Sequence, residues 1–333
     1  MNTFGENIRL SIFGESHGPA VGIVIDGLPP GFEIDFDAVR REMAQRAPGG
    51  ELATPRAETD AFEVLSGVFE GRATAAPLCA VIRNADTRSG DYDPAIMRPG
   101  HADYTARVKF KGFSDYRGGG HFSGRLTAPL VFAGAIAKQI LCVLHGITIT
   151  ACIRQIGSVS DGDEDAYRAE IARAKGEGDS VGGVIECAAL GVPPGLGEPF
   201  FRSAESACAA LLFSVPAVKG VEFGDGFGLC AMRGSAANDA MSFSDGKVSF
   251  LSNHNGGILG GITNGQPVIV RAAIKPTPSV AAGQSTVNMD TGENITHGVR
   301  GRHDPCIVPR AVPVVEACLA ICLLDFLPQG ESK

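Results

Sequence analysis

Residues 98–103 read Arg98-Pro99-Gly100-His101-Ala102-Asp103, and residues 115–125 read Asp115-Tyr116-Arg117-Gly118-Gly119-Gly120-His121-Phe122-Ser123-Gly124-Arg125. A long apolar run at 128–144 follows directly. Glycine lets backbone N–H groups approach a ligand closely, and arginine binds carboxylate or phosphate through two parallel hydrogen bonds. The stretch therefore predicts an anion site placed against a buried element. A glycine-rich surface turn with solvated charges is the alternative.

Two helices are indicated by the pattern of apolar residues. Residues 128–144 are apolar nearly all round, which predicts a buried helix with Pro129 in its first turn and Gly146 as its C-cap. Asp35 is the predicted N-cap of an amphipathic helix that ends near Arg46.

Composition sets limits on the class of protein. The chain has 333 residues, of which 44% are hydrophobic and 20% charged, as in a globular protein with a sizeable core. A net charge of −8 argues against a nucleic-acid or membrane surface. Neither a secretory signal nor an uninterrupted apolar span of about 20 residues is visible. Nine cysteines without a CxxC pair are typical of reduced thiols, so we expect a cytoplasmic protein. Because HExxH, paired CxxC and EF-hand patterns are missing, no metal site is predicted.

The sequence Gly14-Glu15-Ser16-His17-Gly18 matches the GxSxG pattern of a hydrolase nucleophile. That motif needs a strand before the serine and a helix after it. Here strand-like residues stand on both sides, at 9–13 and 20–25. The context favours a turn at which Ser16 and His17 face a ligand, with a serine hydrolase as the alternative.

A faint internal echo indicates a duplication. Gly27-Leu28-Pro29-Pro30-Gly31 begins 13 positions after Gly14, and Gly191-Val192-Pro193-Pro194-Gly195 begins 13 positions after Gly178. We expect one domain, 1–333, built of two repeated halves at roughly 1–160 and 161–333. Val181 stands where the first copy has His17, so the chemistry is expected in the first half.

Four of the seven histidines fall in segments rich in glycine or arginine, namely His17, His101, His121 and His303. An imidazole beside anion-binding groups can transfer protons near neutral pH, although any single histidine can instead be structural. The residues alone support an enzyme that uses proton transfer on a small, multiply anionic substrate or cofactor. Residues 253–265 are rich in glycine but lack GxGxxG, so no dinucleotide fingerprint is indicated.

Seven segments, in order along nearly the whole chain, resemble motifs of the chorismate synthase family. They are Phe13-Gly14-Glu15-Ser16-His17-Gly18, Leu65-Ser66-Gly67-Val68-Phe69-Glu70-Gly71, Arg98-Pro99-Gly100-His101-Ala102-Asp103, Asp115-Tyr116-Arg117-Gly118-Gly119-Gly120, Gly195-Leu196-Gly197-Glu198-Pro199, Lys275-Pro276-Thr277 and Gly301-Arg302-His303-Asp304-Pro305-Cys306.

The resemblance implies an α+β fold, a sandwich of antiparallel β-sheets and helices with internal duplication. It implies a lyase of the shikimate pathway that converts 5-enolpyruvylshikimate 3-phosphate to chorismate by 1,4-elimination of phosphate and a ring hydrogen. Such enzymes require reduced FMN although the reaction is redox-neutral overall, and NADPH enters where the enzyme reduces its own flavin. A homotetramer is also implied.

The resemblance also assigns roles to residues. His17 matches a proton donor to the leaving phosphate, His101 a histidine beside the flavin, and Asp304 a carboxylate that helps to remove the substrate proton. Substrate-binding positions match Arg46, Arg98, Ser123, Arg125 and Arg302. Flavin-binding positions match or fall near His121, Phe122, Ser123, Asn238, Asp239, Gly260, Lys275, Pro276, Thr277, Pro278, Ser279 and Arg302.

Two departures from the commoner family pattern stand out. Many members carry Arg-Ser-Ser-Ala-Arg where this chain has His121-Phe122-Ser123-Gly124-Arg125. Many also have a further arginine a few residues after Arg46, whereas the nearest here is Arg56. A non-enzymatic flavin- or phosphate-binding protein of the same fold is therefore a third interpretation.

Overall fold

The computed structural model describes residues 2–47, 59–85, 90, 92–244, 246–299 and 304–327. Its helices are α1 Phe36–Arg46, α2 Asp103–Lys109, α3 Thr127–His145, α4 Glu164–Gly176, α5 Ala204–Ser214, α6 Gly234–Ala237 and α7 Val308–Phe326. Its strands are β1 Thr3–Phe4, β2 Arg9–Gly14, β3 Ala20–Asp26, β4 Phe62–Ser66, β5 Val68–Phe69, β6 Arg72–Ala73, β7 Leu78–Arg83, β8 Thr148–Ile156, β9 Val159–Ser160, β10 Gly183–Leu190, β11 Val218–Phe223, β12 Met241–Ser244, β13 Lys247–Phe250, β14 Ile258–Leu259, β15 Ile262–Thr263, β16 Val268–Ile274, β17 Gln284–Asn288 and β18 Glu293–His297.

Two five-stranded sheets enclose the helical core. Their strand orders are β1-β2-β3-β7-β4 and β11-β16-β10-β8-β9, and every described pairing is antiparallel. Helix α3 packs on β3 and β7, while α7 packs on β8 and β10. The two helices approach closely where Gly134 meets Ala317, since a Cβ on Gly134 would lie 2.2 Å from that of Ala317. The α+β prediction is confirmed.

The two sheets repeat one topology. The order β2-β3-β7-β4 in the first sheet corresponds to β8-β10-β16-β11 in the second. Each half also places one helix after its second strand in this order, α1 or α5, and ends in a long core helix, α3 or α7.

The predicted helices form for the expected local reasons. The carboxylate of Asp35 accepts hydrogen bonds from the backbone N–H groups of Asp37 and Ala38, which caps α1. Helix α3 ends at Gly146, whose φ of 68° closes the helix in the left-handed conformation. The helical segment Gly124–His145 is long and apolar enough to cross a membrane, but 78% of its apolar window is buried inside the protein. It is the core helix of the fold.

Candidate active site

A cavity of about 480 Å³ opens beside the triple glycine. Its wall combines aromatic rings, an ion pair and a histidine from the stretches singled out in the sequence. Among the lining residues are Tyr92, Arg98, His101, Asp103, Gly119 and Phe122. Hairpin β17–β18 supplies part of the wall, because Met97 N–H donates to the carbonyl of Val287 and β18 ends at the lining residue His297.

The triple glycine separates the two predicted catalytic histidines. Gly118, Gly119 and Gly120 all have positive φ, at 60°, 86° and 53°. A Cβ on Gly118 would lie 2.4 Å from Cδ2 and Nε2 of His17, and one on Gly119 would lie 3.1 Å from Nε2 of His101. Both imidazoles therefore pack on neighbouring residues of one backbone turn. Glycine is required at Gly118 by conformation and by space.

Hydrogen bonds from Ser16 and Asn84 hold the turn that carries His17. Ser16 is completely buried, and its hydroxyl donates to the carbonyls of Arg117 (3.2 Å) and Gly118 (3.0 Å). The side-chain amide of Asn84 donates to the carbonyls of Glu15 (2.9 Å) and Gly18 (2.8 Å). The expectation that Ser16 faces a ligand is thus wrong, because its hydroxyl is used to hold the glycine turn. A hydrolase nucleophile would need that oxygen exposed.

His101 is oriented by a carboxylate. Its Nδ1 lies 2.6 Å from Oδ1 of Asp103, while Arg98 donates to both oxygens of the same carboxylate, from Nε at 2.7 Å and from Nη2 at 2.8 Å. Since the carboxylate accepts, Nδ1 of His101 carries a proton, and Nε2 is the atom that packs on Gly119. Arg98, predicted to bind substrate, has its guanidinium committed largely to Asp103.

Asp103 stays ionised in this arrangement. Burial works to raise the pKa of its carboxyl, but hydrogen bonds from Arg98 and His101 outweigh that effect and hold the pKa well below its usual range.

A second group of predicted residues is buried around Asp60. Nε of Arg46 lies 2.9 Å from Oδ2 of Asp60, and Arg125 forms an ion pair with Oδ1. Arg125 also donates to Oδ1 of Asn84 at 3.0 Å, which connects this group to the His17 turn. All three charged side chains are at most 3% exposed, so one carboxylate stands between two buried cations.

Asp304 is connected to Arg46 through Arg310. It forms an ion pair with Arg310, whose Nε donates to the backbone carbonyl of Arg46 at 2.9 Å. Arg302, His303 and Arg56 lie outside the described residues.

Residues 275–278 line a second cavity of about 470 Å³ together with Pro99 and Gly100. The hydroxyl of Thr277 is buried without a hydrogen-bond partner among the described residues. Lys275 Nζ contacts the carbonyl of Gly100, and Ser279 Oγ accepts from Arg98 at 3.3 Å. These contacts place Lys275, Pro276, Thr277, Pro278 and Ser279 beside the His101 segment.

His121 and Phe122, which depart from the commoner family pattern, both make specific contacts. Nδ1 of His121 lies 2.8 Å from the carbonyl oxygen of Gly14, so this imidazole binds the end of β2. Phe122 lines the first cavity and contacts Phe110, with ring centroids 6.2 Å apart. Ser123 caps the short turn that contains Arg125, because its hydroxyl accepts from the Arg125 N–H at 3.3 Å.

Asn238, Asp239 and Gly260 lie elsewhere. Asp239 accepts hydrogen bonds from Ser252 and Asn255 side chains and from two backbone N–H groups, and Gly260 occupies the turn of the β14–β15 hairpin. The loops that contain Asp239 and Gly260 lie at the Val268 end of β16, whereas Lys275 follows the other end of that strand. The structure does not bring this group to either cavity.

Sequence reasoning missed four residues that build the site: Tyr92, Asn84, Asp60 and Asp103. Asp103 carried a usable signal, since it stands two positions after His101 beside Arg98. Asn84 and Asp60 carried none, because they meet Arg125 only in the folded chain, from 41 and 65 positions away.

Proteins of a known family resemble this chain along nearly its whole length. The family model described as chorismate synthase matches residues 8–327. The chorismate synthase of Thermococcus kodakarensis is 47% identical, over 97% of this chain and 96% of its own length. That of Porphyromonas gingivalis is 48% identical, over 98% of this chain and 95% of its own. A solved structure titled as the crystal structure of chorismate synthase superposes with a TM-score of 0.76 at 29% identity, over 97% of this chain and 92% of that one. This chain belongs to the chorismate synthase family.

Proposed function

We propose that the protein converts 5-enolpyruvylshikimate 3-phosphate to chorismate and phosphate in the cavity beside the triple glycine, with reduced FMN as cofactor. As a member of this family it is a carbon–oxygen lyase of the shikimate pathway, acting on a small molecule. The observation that carries the proposal is the packing of His17 and His101 on Gly118 and Gly119. Two imidazoles that pack on one turn can act at the same time, one on a leaving group and one on a neighbouring cofactor.

The charges suit a multiply anionic substrate. Two buried arginines, Arg46 and Arg125, pair with the carboxylate of Asp60, and Arg125 also reaches Asn84 beside the His17 turn. The wall of the first cavity carries both signs of charge, since Lys111 lies there with the Arg98–Asp103 pair and Arg107 is paired with Asp290 at 2.9 Å. Arginine side chains are suited to gripping a phosphate and two carboxylates through paired hydrogen bonds.

In the proposed reaction His17 donates a proton to the departing phosphate, and Asp304 helps to remove the ring proton. The C–O bond to phosphate and one ring C–H bond break, and a new double bond forms, so the substrate has no net change of oxidation state. His101, held at Nδ1 by Asp103, directs Nε2 towards Gly119 beside the proposed cofactor position. Reduced FMN, when bound, supplies electron density to the reacting ring.

The residues present fit a flavin with its phosphate. Tyr92 and Phe122 offer aromatic surface in the first cavity. Thr277 has a buried hydroxyl without a partner among the described residues, next to Lys275 in the second. A buried hydroxyl beside a lysine is suited to a phosphate oxygen.

We also propose that the protein forms a homotetramer. Asn238, Asp239 and Gly260 are separated from Lys275 by β16, which has seven residues and so spans about 20 Å. If these residues contact flavin, as the resemblance implies, a neighbouring copy of the chain must supply them. Exposed apolar side chains on that side, Phe243 at 75% and Leu251 at 75%, are suited to such an interface.

We also infer that the matching strand orders of the two sheets reflect duplication of one ancestral unit. A cytoplasmic location is proposed because all nine cysteines are free thiols.

The test is anaerobic turnover of 5-enolpyruvylshikimate 3-phosphate, followed by chorismate absorbance. We expect product with dithionite-reduced FMN and none with oxidised FMN. Product with oxidised FMN plus NADPH would assign flavin reduction to this chain. Binding of both ligands without product would instead favour the non-enzymatic interpretation.

A further inference from the structure

Tyr92 occupies a special place in the cavity wall. Its ring meets the imidazole of His17 edge to face, with centroids 5.4 Å apart and an interplanar angle of 87°. The guanidinium carbon of Arg98 lies 5.3 Å from the centre of the same ring. One aromatic ring thus contacts the predicted proton donor and the arginine that orients Asp103 and His101.

Hydrogen bonds hold the backbone of the His17 turn. The buried hydroxyl of Ser16 and the amide of Asn84 bind its carbonyls and those of the glycine turn. Proton donation also requires the side chain, because the donor atom must lie within about a few tenths of an ångström of a productive position.

Two surfaces contact the imidazole of His17. Gly118 lies against Cδ2 and Nε2 of His17, and the Tyr92 ring lies perpendicular to the imidazole. Tyr92 in turn is held by the charged Arg98, whose fork is anchored on Asp103. Aromatic faces attract both imidazolium and guanidinium groups.

We propose that Tyr92 is a positioning residue that clamps the imidazole of His17 against Gly118 for proton donation. The inference rests on the proposed function only in giving His17 that role. The ring, and not the hydroxyl, makes both contacts, so the two parts of the side chain can be tested separately.

The first test is kinetic. Tyr92→Leu removes the ring and should lower kcat roughly 10- to 100-fold, less than the 10²–10⁴-fold expected for loss of the general acid itself. The KM for 5-enolpyruvylshikimate 3-phosphate should change little, because a misplaced proton donor acts on the transition state. Tyr92→Phe keeps the ring and should restore kcat. Tyr104→Leu, at a residue 54% exposed on α2, is the matched control.

The second test needs no turnover. Diethyl pyrocarbonate modifies neutral imidazoles, and peptide mass mapping gives the rate at each histidine of the flavin-free protein. Tyr92→Leu should accelerate modification of His17 and leave His254, which is paired with Asp225 at 2.6 Å, unchanged. Tyr92→Phe should protect His17 as the native chain does.

Two results would overturn the clamp. One is a Tyr92→Leu variant with raised KM and native kcat, which would make Tyr92 a substrate contact only. The other is an unchanged modification rate at His17. If the native chain fails to form chorismate yet Tyr92→Leu exposes His17, the proposed function is wrong while the clamp stands.

Discussion

Arg98 and Asp103 form a two-point ion pair in the cavity wall, with Nε and Nη2 on separate carboxylate oxygens at 2.7 and 2.8 Å. The side chains are 9% and 13% exposed, so the pair is largely shielded from water. It aligns His101 on one side and reaches Ser279, in the segment proposed to bind the cofactor, on the other. The pair is thus an organiser of the site.

Asp103→Asn should therefore impair catalysis more than binding. The amide leaves Arg98 without its anion and weakens the hold on Nδ1 of His101. We expect kcat to fall roughly 10²-fold, at the lower end of the range for general acid–base groups. Steady-state kinetics with reduced FMN check this. Asp161→Asn removes a surface partner of Arg154 at 3.6 Å and should behave as the native chain. Equal activity of both variants would contradict the organising role.

Asp60→Asn should destabilise the protein strongly. It leaves Arg46 and Arg125 buried without their shared carboxylate, and such a loss costs about 3–5 kcal/mol of unfolding free energy. Urea denaturation measures the change. Asp37→Asn, whose side chain is 77% exposed and pairs with Arg40 on α1, should change stability by less than about 1 kcal/mol. A small effect of Asp60→Asn would mean that the two arginines have adequate partners elsewhere.

The carboxyl of Asp239 makes the stability of the folded protein depend on pH in the acid range. Burial works to raise the pKa of its carboxyl, but hydrogen bonds from Asn255, Ser252 and two backbone N–H groups lower it from 3.8 to about 2. A carboxyl whose pKa is depressed by folding adds stability above its unfolded pKa near 3.9, and that stability is lost as pH falls through the folded value. Asp239→Asn should cost about 1.5–3 kcal/mol at pH 7.

Thermal melting at several pH values checks this prediction. The difference between native and Asp239→Asn proteins should be constant above about pH 5 and shrink as pH falls from about 4 towards 2. A difference that grows in acid would have the wrong sign for a lowered pKa.

Much of the fold was predictable because its signals are local. Asp35 caps α1 and Gly146 ends α3, each where the sequence indicates. Periodicity and capping depend on neighbours a few positions away. The order of strands in the sheets depends on distant pairing, such as β10 with both β8 and β16, and only the family resemblance anticipated a sandwich.

The location of the site was likewise predictable from the local sequence. The triple glycine, the histidines and the arginines indicated it, because an ordinary surface loop does not require that combination of residues. The direction of each side chain was not, because it depends on partners such as Asp60 for Arg46. Ser16 illustrates the limit: its motif favoured exposure, whereas the fold uses its hydroxyl on the carbonyls of Arg117 and Gly118.

Gly118→Ala should disable the enzyme. Its φ is 60°, and the new Cβ would lie 2.4 Å from the His17 imidazole and 2.7 Å from the Ser16 hydroxyl. Displacing a catalytic group by about 1 Å can cost 10²-fold in rate, so we expect at least that loss. Gly124→Ala is the matched control, since a Cβ on Gly124 would meet no atom within 4 Å. Initial rates of both variants, with folding checked by circular dichroism, decide the matter.

The most direct test of this mechanism is chorismate formation by His17→Ala with reduced FMN. We expect kcat to fall about 10²–10⁴-fold, the range for a lost general acid. FMN binding, followed by flavin fluorescence, should stay close to native, as should turnover of His145→Ala at the far end of α3. Near-native turnover by His17→Ala would contradict the central claim that the imidazole packed on Gly118 protonates the leaving phosphate.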